Sequence, residues 1–158
     1  MKEKEETFQK AEKLLSEKLL EIESEDRLRP WGGFFVIKEE QAPQFIREFF
    51  PSLRISHFRR YSKLSPKLLM VAPGRRLSWQ YHHRRSEIWR VIYGRVGVVV
   101  SDTDEQGPVR ILEEGDSISL EEGQRHRLVG LEEWAILAEI WQHTRPDNPS
   151  DEEDIVRL

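Results

Sequence analysis

The chain of 158 residues has no cysteine, only two methionines, and no apolar run long enough to cross a bilayer as a helix. Without cysteine there is no disulfide, no thiolate nucleophile and no sulfur-ligated zinc, so any metal must be held by nitrogen and oxygen donors. Positive charge is not in excess either. With 25 Lys and Arg against 29 Asp and Glu, a net −4, a broad nucleic-acid surface is excluded, and an anionic ligand must be met by a local arginine cluster. No stretch reads as a signal peptide, so a cytoplasmic protein with no membrane association is expected. The length and the 37% hydrophobic content suit one buried core with short appendages.

What is present divides into three segments. Residues 1 to 28 are dense in Lys and Glu, and Phe8, Ala11, Leu15, Leu19 and Ile22 recur at helical spacing. One amphipathic helix is predicted, packed on the rest of the chain or on a partner subunit, with a lid as the alternative. Residues 29 to 143 are the main domain. Arg29-Pro30-Trp31-Gly32-Gly33 interrupts the helix, and a strand is predicted over 34 to 37. A short helix starts near Ala42 and Pro43, with Phe45, Ile46 and Phe49 as its buried face. From Pro66 onward the pattern changes to short apolar runs separated by turn residues, at 67–72, 77–82, 87–93, 96–101, 109–112, 117–120, 126–129 and 134–141. That pattern predicts an all-β antiparallel barrel. Residues 144 to 158 are acidic and contain proline, and read as a surface tail that crosses the barrel only if Ile155 and Val156 find a groove.

Strand alternation then selects a metal site. Gln80 and His82, two residues apart, share one strand face; Glu87 arrives on the next strand, and His126 comes from the stretch between Gly115 and Gly130. One amide oxygen, two imidazoles and one carboxylate leave a divalent ion with residual charge and open positions, the condition for a catalytic metal. Zinc is the first choice, with manganese, cobalt, nickel or iron as alternatives. His83 is the rival ligand, but it falls on the opposite strand face from Gln80. His57 and His143 lie outside any ligand-spaced pair and read as surface or core-edge residues.

Two candidates for a proton-transferring base follow from the same alternation. Lys67 can be aimed into the barrel from its strand start, although a solvated lysine there is the plain reading, and Glu139 is held among apolar neighbours. Arg29, Arg76, Arg84 and Arg85 are the guanidinium groups placed to grip a phosphate, of which two or three are expected to touch it. Trp79, Trp89, Trp134 and Trp141 are assigned to the core in preference to substrate stacking.

The spacing Gly74-x5-Gln80-x-His82-x4-Glu87-x6-Gly94 resembles the first cupin motif with glutamine at its first histidine, and Gly115-x5-Glu121-x-Gly123-x2-His126 resembles the second, with Glu121 where proline is usual. More narrowly, Arg29-Pro30-Trp31-Gly32, the run 73 to 87, and Asp154-Ile155-Val156-Arg157-Leu158 resemble the isomerase domain of type II phosphomannose isomerases. This likeness covers about residues 29 to 158; residues 1 to 28 and the insertion near 40 to 63 are not typical of it, and the family usually continues past Leu158 into a short basic tail. It implies a cupin barrel, a double-stranded β-helix or jelly roll, to which the N-terminal helix read from the apolar spacing is an addition. It also implies a divalent metal and interconversion of mannose 6-phosphate and fructose 6-phosphate, a chemistry often fused to a guanylyltransferase half that this chain does not contain.

Such a reaction needs a Lewis acid on two oxygens, a base that shuttles one proton, and a cationic pocket for phosphate. The candidates above supply all three. The expected partner is a small phosphosugar, with a homodimer as the expected assembly. The competing classes are a non-catalytic sugar-binding or regulatory cupin and another metal-dependent cupin enzyme, such as an oxygenase.

Overall fold

A computed structural model describes residues 2–61 and 63–158. Its first element is helix α1, Lys2–Glu17, which turns Thr7, Phe8, Ala11 and Leu15 into the interior. The helix stops well before residue 28, the end expected from the apolar spacing. Leu19 takes a left-handed φ of 57°. The Leu20 N–H then donates to the Leu15 carbonyl at 2.9 Å and the Leu19 N–H to the Ser16 carbonyl at 3.1 Å, a Schellman closure with Leu20 packed into the same core as Leu15. Residues Ile22–Arg29 instead form the edge strand β1, whose mixed charges face solvent on one side.

Strands β1 and β2 (Gly32–Ile37) form an antiparallel hairpin. Gly32 has a φ of 137°, and a Cβ there would collide with the Met70 carbonyl, so the tight approach to the next strand requires glycine. Helix α2, Ala42–Phe49, buries Phe45, Ile46 and Phe49 as its alternation predicted. The strands β3 (Lys67–Val71), β4 (Gln80–Tyr81), β5 (Arg85–Tyr93), β6 (Val96–Ser101), β7 (Arg110–Leu112), β8 (Ser117–Leu120), β9 (Arg125–Gly130), β10 (Ala135–His143) and β11 (Val156–Arg157) follow. All pairings are antiparallel, in a six-stranded sheet ordered β1-β2-β3-β10-β5-β8 and a five-stranded sheet ordered β11-β4-β9-β6-β7. This is the expected all-β barrel with an N-terminal helix. Among the described residues no helix is long and apolar enough to cross a membrane.

Alternation along the large sheet separates two cores. Leu68 and Met70 of β3, and Ile136, Ala138 and Ile140 of β10, point outward into a cluster with Phe8 and Leu15 of α1 and Phe45 and Phe49 of α2. The helix stripe therefore packs on the barrel, the plain expectation for it. The intervening residues, Leu69, Val71, Ala135 and Leu137, point inward to meet Val96, Val98, Leu112 and Leu128 between the sheets. Continuing each inward series reaches the site: Lys67 on β3, Arg85, Glu87 and Trp89 on β5, and Glu139 and Trp141 on β10.

The last segment departs from expectation. Residues 144 to 158 return across the barrel, β11 pairs with β4, and the Leu158 N–H donates to the Trp79 carbonyl at 2.9 Å. Ile155 and Val156 have found a groove.

Candidate metal centre

His82, Glu87 and His126 bring one donor atom each within 4.8 Å of one another, and all three residues are buried. His82 lies just beyond β4, Glu87 on β5 and His126 on β9, so three strands of two sheets converge. Gln80 is the Cα partner of His126 across β4 and β9. Its Oε1 accepts a hydrogen bond from the Ser78 hydroxyl at 2.7 Å, and its side chain lines the adjoining cavity.

The hydrogen bonds on each imidazole fix which nitrogen is free. His82 Nδ1 donates to the Asp154 carbonyl at 2.7 Å, and His126 Nδ1 donates to the Gln124 carbonyl at 3.1 Å, so both Nε2 atoms carry lone pairs. The His126 Nε2 is buried with no hydrogen-bond partner, an orphan acceptor that a cation would satisfy. Burial pushes the His126 imidazole below its ordinary pKa, which keeps it neutral and able to ligate. Burial alone would raise the Glu87 carboxyl, but the contact with His82, 3.1 Å away, and the charge of Arg85 hold it well below the usual range, so it is an anion. Two imidazoles that each have Nε2 free of a proton by their hydrogen bonding, an ionised carboxylate and an amide oxygen are a donor set that fits a divalent metal.

Beside these groups lies a cavity of about 320 Å³. Glu87, Glu139, Lys67, Trp31, Trp89 and Trp141 contribute to its lining, as do Arg29, Arg76 and Arg157. Glu139 is gripped by two indoles: Trp141 Nε1 donates to Oε1 at 3.0 Å and Trp89 Nε1 to Oε2 at 2.8 Å. Burial first, and then the negative charge of Glu87, push the Glu139 carboxyl up to about 8. Lys67 is the Cα partner of Glu139 in the β3–β10 register, and its Nζ makes a 2.9 Å ion pair with Glu152 and lies 3.7 Å from the centre of the Trp141 ring.

The four sequence-predicted arginines separate in space. Arg29 and Arg76 line the cavity, although Arg29 also pairs with Asp26 at 2.9 Å. Arg84 does not line it: its Nη2 reaches back to the Pro149 carbonyl at 3.4 Å and to Asp151 at 3.5 Å. Arg85 does reach the cavity, but its donors are already engaged. Nε bonds Glu87 at 2.8 Å, Nη1 bonds the Ser150 hydroxyl at 2.9 Å and the Asp151 carbonyl at 3.0 Å, and Nη2 bonds His82 Nε2 at 3.1 Å.

His83 is exposed and packs edge-on against Tyr81, away from the donors, which disposes of the rival ligand. His57 is exposed, and His143 is buried against Ser65 and Ser150. Trp79 is buried with its indole on the Asp104 carbonyl, and Trp134 packs on Phe8, both as core residues. Trp89 and Trp141 are also buried, yet both N–H groups donate to Glu139, and that of Trp89 also to Glu87 at 3.1 Å, a polar role that assignment to the core had not included.

Sequence reasoning missed Trp31, Ser150, Glu152 and Arg157 as residues of this region, because three of them lie beyond the last long strand or in what read as tail. The signal that could have found Arg157 was the run 154 to 158, already part of the family likeness.

The family model described as "Mannose-6-phosphate isomerase C-terminal" matches residues 49–158. A mannose-1-phosphate guanylyltransferase of Sinorhizobium fredii is 32% identical over 101 residues, covering 64% of this chain; the chain spans only 15% of that protein. Among solved structures, oxalate decarboxylase of Bacillus subtilis at pH 4.6 superposes with a TM-score of 0.58 at 19% identity, covering 85% of this chain and 30% of that one. Another structure of that enzyme, determined in work on its Mn(II) centres, gives 0.57 at 20% identity over 87% of this chain and 31% of that one. These structural likenesses show the barrel fold. With the family model spanning well over half of its length, the chain belongs to the mannose-6-phosphate isomerase C-terminal family, and its fold is a cupin.

Proposed function

We propose that this domain is a metal-dependent sugar-phosphate isomerase that interconverts mannose 6-phosphate and fructose 6-phosphate through an enediol, with zinc as its metal. One observation carries the reading above the others: the donor atoms of His82, Glu87 and His126 gather within 4.8 Å beside a cavity whose wall also holds the buried carboxyl of Glu139, which shares the Trp89 indole N–H with Glu87. Gln80, His82, Glu87 and His126 are the residues that would hold the ion. When bound, it supplies a Lewis acid for the oxygens on C1 and C2 of the sugar.

Glu139 is the base. It takes the proton from C2 of the aldose, and the C–H electron pair becomes the C1=C2 bond of the enediol as O1 gains a proton. Glu139 then returns its proton to C1, and the O2 proton passes through solvent to replace the one that O1 took up, so that the net change is one proton moved from C2 to C1 and one from O2 to O1 with no co-reactant. The two indole donors hold the carboxyl in one place, and its high proton affinity, with a pKa of about 8, suits abstraction from carbon. Lys67 is the second candidate that the sequence offered. Its ion pair with Glu152 favours a different role, that of a fixed cation which steadies the charge on Glu139.

The phosphate is met at the cavity by Arg76 and Arg157, for which no ion pair or side-chain hydrogen bond occurs among the described residues, with Arg29 beside them. Arg85 has its donors spent on Glu87, His82, Ser150 and Asp151 and orients the ligands instead of gripping phosphate.

The test is the full chain loaded with zinc, manganese or cobalt and given mannose 6-phosphate in D2O. Fructose 6-phosphate should appear, with deuterium incorporated at the exchanging carbons. A metal-loaded sample that turns over no aldose phosphate rejects the reading. One observation favours the alternative of a non-catalytic sugar-binding cupin: the Arg85 guanidinium already sits on both Glu87 and His82 Nε2, a built-in cation at the ligand atoms. Calorimetric sugar-phosphate binding in metal-free protein, with no exchange at C2, would support it.

A further inference from the structure

The sequence leaves the segment after His143 as a tail, yet Asp154 bonds His82, Ser150 bonds Arg85, and Glu152, Ile155 and Arg157 line the cavity. The tightest connection is at Asp154, which is 4% exposed. One carboxylate oxygen accepts the His83 backbone N–H and the other the Arg84 backbone N–H, each at 2.9 Å, and the Ser150 hydroxyl donates to Oδ2 at 2.6 Å. Burial raises this carboxyl, but those three donors outweigh it and leave it below its ordinary value, so it is an acceptor on both oxygens. With the side chain pinned in this way, the main-chain carbonyl of the same residue lies 2.7 Å from His82 Nδ1. Ser150, held by Asp154, in turn accepts from Arg85 Nη1, the guanidinium that contacts Glu87.

We infer that Asp154 is a positioning residue for His82: its carboxylate clamps the 83–84 backbone so that its own carbonyl holds the imidazole in the Nδ1–H tautomer with Nε2 aimed at the ion. This rests on His82 being a metal ligand, as in the reading above. The geometry has a chemical logic. His82 sits past the end of the two-residue strand β4; its carbonyl still accepts the Gly123 N–H at 2.9 Å, but the N–H groups of residues 83 and 84 go to the Asp154 carboxylate in place of a partner strand. Outer partners of this kind set tautomer, ring orientation and basicity of a ligating histidine, and their loss costs about 10–100-fold in metal affinity.

The experiment measures zinc affinity of the whole chain by competition with a chelating dye, alongside histidine ¹H–¹⁵N long-range spectra of the metal-free protein. Asp154→Ala should weaken zinc binding by about 10–100-fold. In its spectra His82 should pass from a single Nδ1–H tautomer to a mixture. Asp154→Asn, which keeps one carbonyl acceptor, should fall between alanine and wild type and provides the comparison if the alanine variant does not fold. Glu153→Ala, on the same segment but exposed, should match wild type in both readouts. Zinc affinity in Asp154→Ala and Asp154→Asn within twofold of wild type, or an unchanged His82 tautomer, overturns the inference while leaving the metal reading intact. A wild-type chain that takes up no zinc overturns both.

Discussion

The two faces of β10 teach how this chain divides its labour. Its outward residues Ile136, Ala138 and Ile140 belong to the apolar cluster that α1 and α2 cover. Its inward residues begin in the same way with Ala135 and Leu137, then change character to Glu139, Trp141 and His143. The strand is almost wholly buried on both sides, so one face differs from the other in chemistry and not in exposure. The outer face gives dispersion and dehydration, and any well-fitting apolar residue will serve there. The inner face places a carboxyl in a site that would expel it if the indoles of Trp89 and Trp141 did not donate to it.

The largest test of that contrast is Glu139→Gln. The amide keeps the volume and, through its oxygen, one indole bond; its NH2 cannot accept from the second indole, and it cannot carry a proton between carbons. Isomerisation should fall by about 10²–10⁴-fold with zinc affinity within a fewfold of wild type. Retained turnover would move the base elsewhere, with Lys67→Met then the deciding variant. The opposite face should give the opposite signature. Ile140→Ala removes buried apolar volume against the helices and should cost about 2–5 kcal/mol in urea unfolding, while metal affinity and KM of the folded fraction stay put. If Ile140→Ala instead altered KM at full stability, the two faces would not be independent.

The same contrast explains what was legible beforehand. Period-two alternation aimed Lys67 inward and put Gln80 and His82 on one strand face, and apolar neighbours kept Glu139 inside, because those relations are local; Glu87 and His126 rested on the spacing of two glycine-bounded stretches. The end of α1 was not legible because the left-handed cap is Leu19, where glycine is the usual signal. Nor were the duties of Arg84 and Arg85: which arginine reaches the cavity depends on the return of residues 149 to 154, a contact between segments about 65 residues apart in sequence. Charge alone made four arginines equivalent, and only the spent hydrogen bonds tell them apart.

His143, the last residue of the inward series, links that face to acid stability. Burial, then the charges of Lys63, Arg85, Lys67 and Arg84, bring its imidazole from 6.5 down to about 4. The folded chain therefore binds fewer protons there than the unfolded chain between those values. The stabilisation is complete above about pH 6.5 and is lost as the pH falls towards 4, by about 2 kcal/mol between pH 7 and pH 5. Protonation would also place a hydrogen on Nδ1, which now accepts the Ser150 N–H at 2.8 Å and so anchors the returning segment. Urea midpoints at the two pH values should differ by that amount in wild type and by much less in His143→Gln. An equal pH slope in both proteins would assign the acid sensitivity to other groups.

Arg157→Ala carries the smallest expected effect on stability and separates substrate recognition from the ligand cluster most finely. Arg157 is exposed on β11 and its side chain lines the cavity mouth without an ion pair among the described residues, so removing it leaves no buried partner unsatisfied and stability should change by less than about 0.5 kcal/mol. A charge-assisted bond to phosphate is worth about 1.5–3 kcal/mol, so KM for the sugar phosphate should rise by roughly 10–100-fold. Because the phosphate lies far along the chain from the carbons that exchange their proton, kcat should change little, and the unphosphorylated sugar should show no difference between variant and wild type. Arg85→Lys should behave in the opposite way, since a lysine cannot bridge Glu87, His82 and Ser150 together: metal retention and kcat should drop while the phosphate contribution to KM is preserved. Should Arg157→Ala leave KM unmoved and Arg85→Lys raise it alone, the guanidinium at the ligand atoms, and not the one brought in by the returning strand, would be the phosphate's partner.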